Sequence, residues 1–195
     1  MTEQDSASTD TPAAKHRRIR SFVLRMGRMT SGQQRALDEL WPRFGIDYTP
    51  NNLNLDTVFG RHAPRMIEIG FGTGEALFDY AKAHPEMDCL GIEVHRPGAG
   101  HLLMNVGEHA LTNVRTSCHD AVEVLTHQIA PGSIDAVHIF FPDPWHKARH
   151  HKRRLIQPAF ADLLARIIKP SGKLRLATDW QNYAEHMRAV LDVHP

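Results

Sequence analysis

Five short apolar runs, most of them followed by a helical pattern, set what this 195-residue chain can fold into. Arg65–Gly70, Cys89–Val94, Val114–Cys118, Ile134–Phe141 and Lys173–Ala177 read as strands. Helical spacing follows at Gly74–Ala83, at His101–Glu108, and in the stretch carrying Val122, Leu125 and Ile129. It returns at Leu155–Ile168 and Trp180–Leu191. Pro85, Pro131 and the turn Pro170-Ser-Gly172 close three of these helices. Strands that alternate with helices need crossovers covering both sheet faces. The expected fold is therefore α/β, with a doubly wound, mostly parallel sheet. Such sheets bind ligands outside the carboxyl ends of their strands, so residues at those ends form one candidate site.

The flanking segments divide the rest. Residues 1–16 are rich in Thr, Ser, Asp, Ala and Pro and predict a disordered tail. Residues 17–60 read as a basic segment with a short helix, Gln33–Leu40, stopped by Pro42. Residues 61–195 form the sheet domain. Apolar residues make up 42% of the chain, enough for a sizeable core, and net charge is only +1. The cations are clustered instead: Lys15, Arg17, Arg18, Arg20, Arg25 and Arg28, then Lys147, Arg149, Lys152, Arg153 and Arg154. Clustered cations on a near-neutral domain are a footprint expected for nucleic acid, with a solvated surface as the alternative for either cluster alone. Cys89 and Cys118 lack metal-type spacing and read as reduced core thiols. No apolar window reaches eighteen residues, and Met1–Ala14 has no apolar leader core. The expectation is a cytoplasmic protein without a membrane partner.

The strand ends carry the chemistry. The first strand ends Glu68-Ile-Gly70-Phe-Gly72-Thr-Gly74, where glycines let the backbone turn tightly and approach a ligand. A dinucleotide fingerprint needs a glycine at its sixth position. Counting from Gly70 gives Glu75 there, and counting from Gly72 gives Leu77, so the pattern fails. That failure argues against a nucleotide-dependent oxidoreductase and for a ligand without a pyrophosphate. Glu93, at the end of the second strand, suits ribose hydroxyls. Asp120 follows the third strand and could accept from an adenine amino group, cap the next helix, or do both. Glu68, Gly70, Gly72, Gly74, Glu93 and Asp120 thus outline an acid-lined nucleoside pocket, the kind that cationic S-adenosylmethionine needs. After the fourth strand, Asp143 stands between Pro142 and Pro144, which fix its backbone. Trp145 offers an aromatic face on which a base could stack, or simply packs.

These motifs resemble the bacterial tRNA (guanine-N7-)-methyltransferases, from about Arg17 to the end of the chain. The resemblance rests on Arg17–Val23, Glu68–Gly72, Gly91–His95, Cys118–Leu125 and Phe140–His150. Lys152–Arg154 and Ala177–Trp180, with Tyr183–Met187, complete it. It implies a Rossmann-like class I methyltransferase fold, S-adenosylmethionine as cofactor, S-adenosylhomocysteine as product, and tRNA as partner. The implied reaction methylates N7 of a guanosine in the variable loop, position 46. Glu68, Glu93, Asp120 and Asp143 would contact the cofactor, with Asp143 also serving catalysis. Lys147 and Asp179 would bind the guanosine, and Arg149, His150, His151, Lys152, Arg153 and Arg154 would lie against the tRNA. Family members carry a further stretch with a Thr-Lys-Phe-Glu motif. This sequence does not contain it, so the last strands of the fold are expected to be missing and the fifth strand to have a bare edge.

Guanine N7 has a lone pair and no proton, so its methylation needs alignment more than a base. Asp143 or Asp179 can stabilise the charge that develops, and Lys147 can meet O6 or a phosphate. His146 and His150 have i, i+4 spacing but lack the glutamate of a zinc helix, so no metal is expected. Partial protonation beside phosphate is the expected use of His150 and His151. No protein partner is evident beyond a monomer or weak homodimer. A noncatalytic RNA-binding module of the same fold is the alternative function.

Overall fold

In the computed structural model, residues 20–23 and 27–193 are described. The expected tail, residues 1–16, and the cluster members Lys15, Arg17, Arg18 and Arg25 lie outside the described residues. Among the described residues five parallel strands form one sheet: β1 (Arg65–Ile69), β2 (Asp88–Ile92), β3 (Val114–Ser117), β4 (Ile134–Phe140) and β5 (Ile168–Ala177). Their order is β3-β2-β1-β4-β5, so chain direction across the sheet reverses between β1 and β4. Ligands of open α/β sheets collect at this reversal.

Period-two alternation divides the core into two faces. Met66, Cys89 and Ala136 join α1 (Ser31–Phe44), α3 (Glu75–Ala83) and α4 (Arg96–Glu108) in one apolar layer. Ile67, Ile69, Leu90, Ile92, Val137 and Ile139 join α2 (Leu55–Phe59), α5 (Ala121–His127), α6 (Pro158–Ile167) and α7 (Gln181–Leu191) in the other. Each of β1, β2 and β4 feeds both layers, which is why the runs read as near-continuously apolar. Cys89 and Cys118 are free thiols, and burial pushes them up to about 12 and about 11, so both stay protonated.

The expected helix Leu155–Ile168 is shorter, Pro158–Ile167, and three other elements depart further from the sequence expectation. Helix α1 is not stopped by Pro42 but runs through it to Phe44. The proline lies in the last turn, where it forfeits a single backbone bond. Phe44, which is buried, and the Gly45 N–H, donated to Trp41 O at 2.7 Å, hold that turn. The helix also begins earlier than Gln33. Thr30 Oγ1 accepts from Gln33 N–H at 3.2 Å, and Gln33 Oε1 accepts from Thr30 N–H at 2.9 Å, a reciprocal cap.

Helix α4 starts at Arg96 instead of His101, with a proline in its first turn. Gly98 and Gly100 hid that start, because glycine is a poor helix former. Close approach explains Gly98: a Cβ there would stand 1.9 Å from Gly72 O, so helix and glycine loop meet backbone to backbone. Strand β5 starts at Ile168 instead of Lys173. Its register with β4 slips between Ile134 and Ala136, and the expected turn at Pro170–Gly172 lies within that irregularity.

Candidate active site

A cleft of about 220 Å³ opens at the carboxyl ends of β1, β2, β3 and β4. Gly70, Glu93, Asp120 and Asp143 line it together, though fifty or more residues separate the first from the last two. Among the described residues three carboxylates face this cleft and no Lys or Arg lines it. A second hollow, about 630 Å³, shares Phe22, Glu93, Val94 and Asp143 with the first. It continues to Trp145, His146, Lys147 and His150. Asp143 therefore belongs to both, at the junction of the acidic chamber and a second one that adds Lys147 and three histidines.

Local structure explains each position. Gly70 has φ 72, Gly72 φ 59 and Gly74 φ 83, so the chain leaves β1 through a left-handed turn. Of the three, only Gly70 lines the cleft. Gly74 serves packing, since a Cβ there would meet Leu102 Cβ at 2.8 Å. Glu93 is held at both oxygens: Oε2 accepts from Gly72 N–H at 2.9 Å, and Oε1 from Val94 and His95 N–H at 2.7 and 3.0 Å. A carboxylate has about four acceptor sites, so Glu93 keeps capacity for a hydroxyl ligand. Asp120 Oδ1 caps α5 by accepting from Val122 N–H at 3.0 Å while the residue still lines the cleft.

Glu68 departs from expectation: it does not line the cleft. It lies inside β1, 3% exposed, opposite His138 in the β1–β4 register, and its Oε2 has no hydrogen-bond partner among the described residues. Burial pushes its carboxyl up to about 7. Burial also holds the His138 imidazole down to about 4, with Arg175 adding to the effect. A raised carboxyl favours the folded state below its ordinary 4.5, and that contribution is lost as pH climbs to about 7. The depressed histidine acts oppositely, losing stability as pH falls from 6.5 towards about 4. Over their shared range the two slopes offset each other, so a variant separates them. Glu68→Gln should raise the unfolding midpoint more at about pH 7.5 than at about pH 5. An equal change at both would show that Glu68 is ionised in the folded protein throughout.

The basic run sorts into exposed and committed cations. Lys147, Arg149 and Lys152 are exposed. Arg154 is not available to RNA: it is 3% exposed, and its Nε–H donates to Pro144 O at 2.9 Å. One of its terminal nitrogens donates to Asn182 Oδ1 at 2.6 Å, and its guanidinium covers the Tyr183 ring at 4.8 Å. Arg153 lies over the Trp145 ring at 4.1 Å, so one face of that indole is already covered and not open to a base. His150 also differs. Partial burial and then Arg149, Arg153, Lys147 and Lys152 lower its pKa, which disfavours protonation of the free protein. His151 Nε2 lies 3.1 Å from Arg154 and is tied to the same buried group. Asp179 lines a separate hollow with Trp180, Gln181, Asn182 and Glu185, outside the two chambers. His146 packs edge-on against Trp180 at 4.3 Å, which links that hollow to the second chamber.

Phe141, His119 and Phe22 are among the lining groups that sequence reasoning missed. Phe141 is 66% exposed at the cleft with φ 50, a strained placement for a bulky residue. Its position directly after an apolar strand was the available signal. His119 lines the cleft, stacked on Tyr48 at 3.8 Å and bonded to Glu123. Nothing in the spacing links Tyr48 to His119. Phe22 lines both chambers from the basic segment.

Parallel order, a glycine turn after β1 and acids after β2, β3 and β4 define a class I methyltransferase fold. An antibiotic-related methyltransferase superposes with TM-score 0.56 at 16% identity, over 75% of this chain and 74% of that one. The antibiotic-resistance methyltransferase Kmr superposes at 0.52 and 16%, over 75% and 82%. A family model described as "Putative methyltransferase" matches residues 62–195. A tRNA (guanine-N(7)-)-methyltransferase of Burkholderia vietnamiensis is 60% identical over 180 residues, 92% of this chain and 71% of the relative. One from Edwardsiella ictaluri is 54% identical over 195 residues, 100% of this chain and 82% of the relative. The chain belongs to the tRNA (guanine-N7-)-methyltransferase family.

Proposed function

We propose that this chain transfers the methyl group of S-adenosylmethionine to N7 of a guanosine in tRNA, and that the guanosine lies in the variable loop. The charge of the cleft carries the reading. Three carboxylates, with no Lys or Arg among the described lining residues, suit a cationic nucleoside and disfavour a pyrophosphate. When bound, S-adenosylmethionine supplies a methyl carbon on a positive sulfur, and S-adenosylhomocysteine leaves neutral at that sulfur. In this reading Glu93 accepts from ribose hydroxyls and Asp120 from an adenine amino group. Asp143 stands where the two chambers meet, which is where nucleophile and methyl must align. Guanine N7 holds a free lone pair, so no residue has to remove a proton before attack. The methylated base carries positive charge, and the Asp143 carboxylate stabilises that charge as it develops.

Exposed Lys147, Arg149 and Lys152 supply the phosphate contacts in this reading. Lys152→Gln with Arg149→Gln should flatten the slope of log affinity for tRNA against log salt. The expected change is about 0.7–0.9 for each phosphate no longer neutralised. An unchanged slope would place those side chains off the RNA. No helix among the described residues is long and apolar enough to cross a membrane. The direct test is incubation with unmodified tRNA and labelled cofactor, followed by mass mapping of the nucleosides. N7-methylguanosine in the variable loop is expected. Label at another nucleoside would overturn the substrate reading, and binding without transfer would make the chain an RNA-binding module.

A further inference from the structure

One wall of the cofactor cleft comes from a segment that belongs to no helix or strand. Ser21 and Phe22 line the acidic chamber, and Phe22 and Val23 line the second one. Their place depends on side-chain bonds from the segment that follows β4. The Trp145 indole N–H donates to Ser21 O at 3.0 Å. The Arg153 Nε–H donates to Arg20 O at 3.3 Å, and its guanidinium lies 4.1 Å over the Trp145 ring. The stack thus fixes the ring whose N–H fixes Ser21, while the same arginine holds the preceding carbonyl. Trp145 itself is kept at φ 48, an unfavourable conformation for a large residue. The carbonyl it leaves behind, Pro144 O, is tied down by Arg154 at 2.9 Å. Two neighbouring arginines of a basic run therefore face inward, onto the chain's own backbone.

We infer that Trp145 and Arg153 are positioning residues that hold Ser21–Phe22 as a wall of the cofactor cleft, so that their loss weakens the cofactor and not the RNA. This deepens the proposed function and rests on it. Arginine and lysine differ in the feature that matters here. Lysine keeps the charge a phosphate would see but lacks the planar group that stacks on indole and the fixed Nε donor. Arg153→Lys therefore separates a clasp from an RNA contact. Trp145→Phe keeps an aromatic ring and removes the N–H.

The experiment is calorimetric titration of S-adenosylhomocysteine into wild type, Arg153→Lys, Trp145→Phe, Phe22→Ala and the Phe22→Ala/Arg153→Lys double variant. Salt-dependent tRNA binding is measured in parallel. Each of the two clasp variants should bind S-adenosylhomocysteine about three- to tenfold more weakly, the scale of one lost hydrogen bond. Their tRNA salt slopes should match wild type. Because the clasp acts through the wall, Arg153→Lys should cost little more once Phe22 is alanine, a coupling that independent sites do not show. Wild-type cofactor affinity in both clasp variants would overturn the inference, as would full additivity with Phe22→Ala. Wild type that fails to bind S-adenosylhomocysteine would overturn the proposed function itself. Phe22→Ala alters a cleft-lining side chain and reports on the wall even if a clasp variant folds poorly.

Discussion

Asp143→Ala is expected to lower methyl transfer by about 10²- to 10³-fold, the scale of removing one preorganised group that stabilises transition-state charge. Asp143 is exposed, lies at the meeting of the two chambers and is flanked by prolines, so its loss removes a charge without opening a cavity in the core. Binding of tRNA should stay within about twofold, because the cations assigned to phosphate are Lys147, Arg149 and Lys152. Asp143→Asn is the sharper version. It keeps shape and backbone but turns an acceptor into a partial donor aimed at a base that becomes cationic. Single-turnover transfer of labelled methyl at saturating cofactor reads the chemical step. If both variants turn over at the wild-type rate, Asp143 has no part in the mechanism.

The architecture was legible because the central strands are buried on both faces and bounded by turn residues. Ile134–Phe140 shows this best: it is apolar along most of its length, and a proline follows shortly after it. The strand-end rule then brought Gly70, Glu93, Asp120 and Asp143 to one cleft without any long-range information. The same rule failed for Glu68, which sits inside β1, one residue short of the strand's end at Ile69. Met66 faces the layer under α3, and alternation carries Glu68 to that side, where His138 stands opposite it in register. Residue types could not sort the basic run either. Arg149 and Arg154 are the same residue type five positions apart, yet one is exposed and one is buried. The difference comes from partners 28 and 29 residues beyond Arg154, Asn182 and Tyr183 in α7, which no local pattern announces.

That burial leads to a large effect on stability. Arg154 holds three elements: the proline loop through Pro144 O, the 3-10 turn Ala148–Arg153 through His151, and α7 through Asn182 and Tyr183. Arg154→Ala would leave Pro144 O and Asn182 Oδ1 without this donor. Hydrogen bonds from charged groups contribute about 1.5–3 kcal/mol each, and their losses within one network are not additive. A total of about 2–4 kcal/mol is expected, which for a chain of this size lowers the unfolding midpoint by about 4–16 °C. Arg154→Lys should recover little of it, since an ammonium cannot reach two carbonyl acceptors while covering the Tyr183 ring. Lys152→Ala, two residues away and exposed, should stay within about 0.5 kcal/mol of wild type. Thermal unfolding of the three variants decides between a fastener and a solvated cation. If Arg154→Ala melts with Lys152→Ala and wild type, the guanidinium is not what joins the proline loop to α7, and the geometry that presents Asp143 has another source.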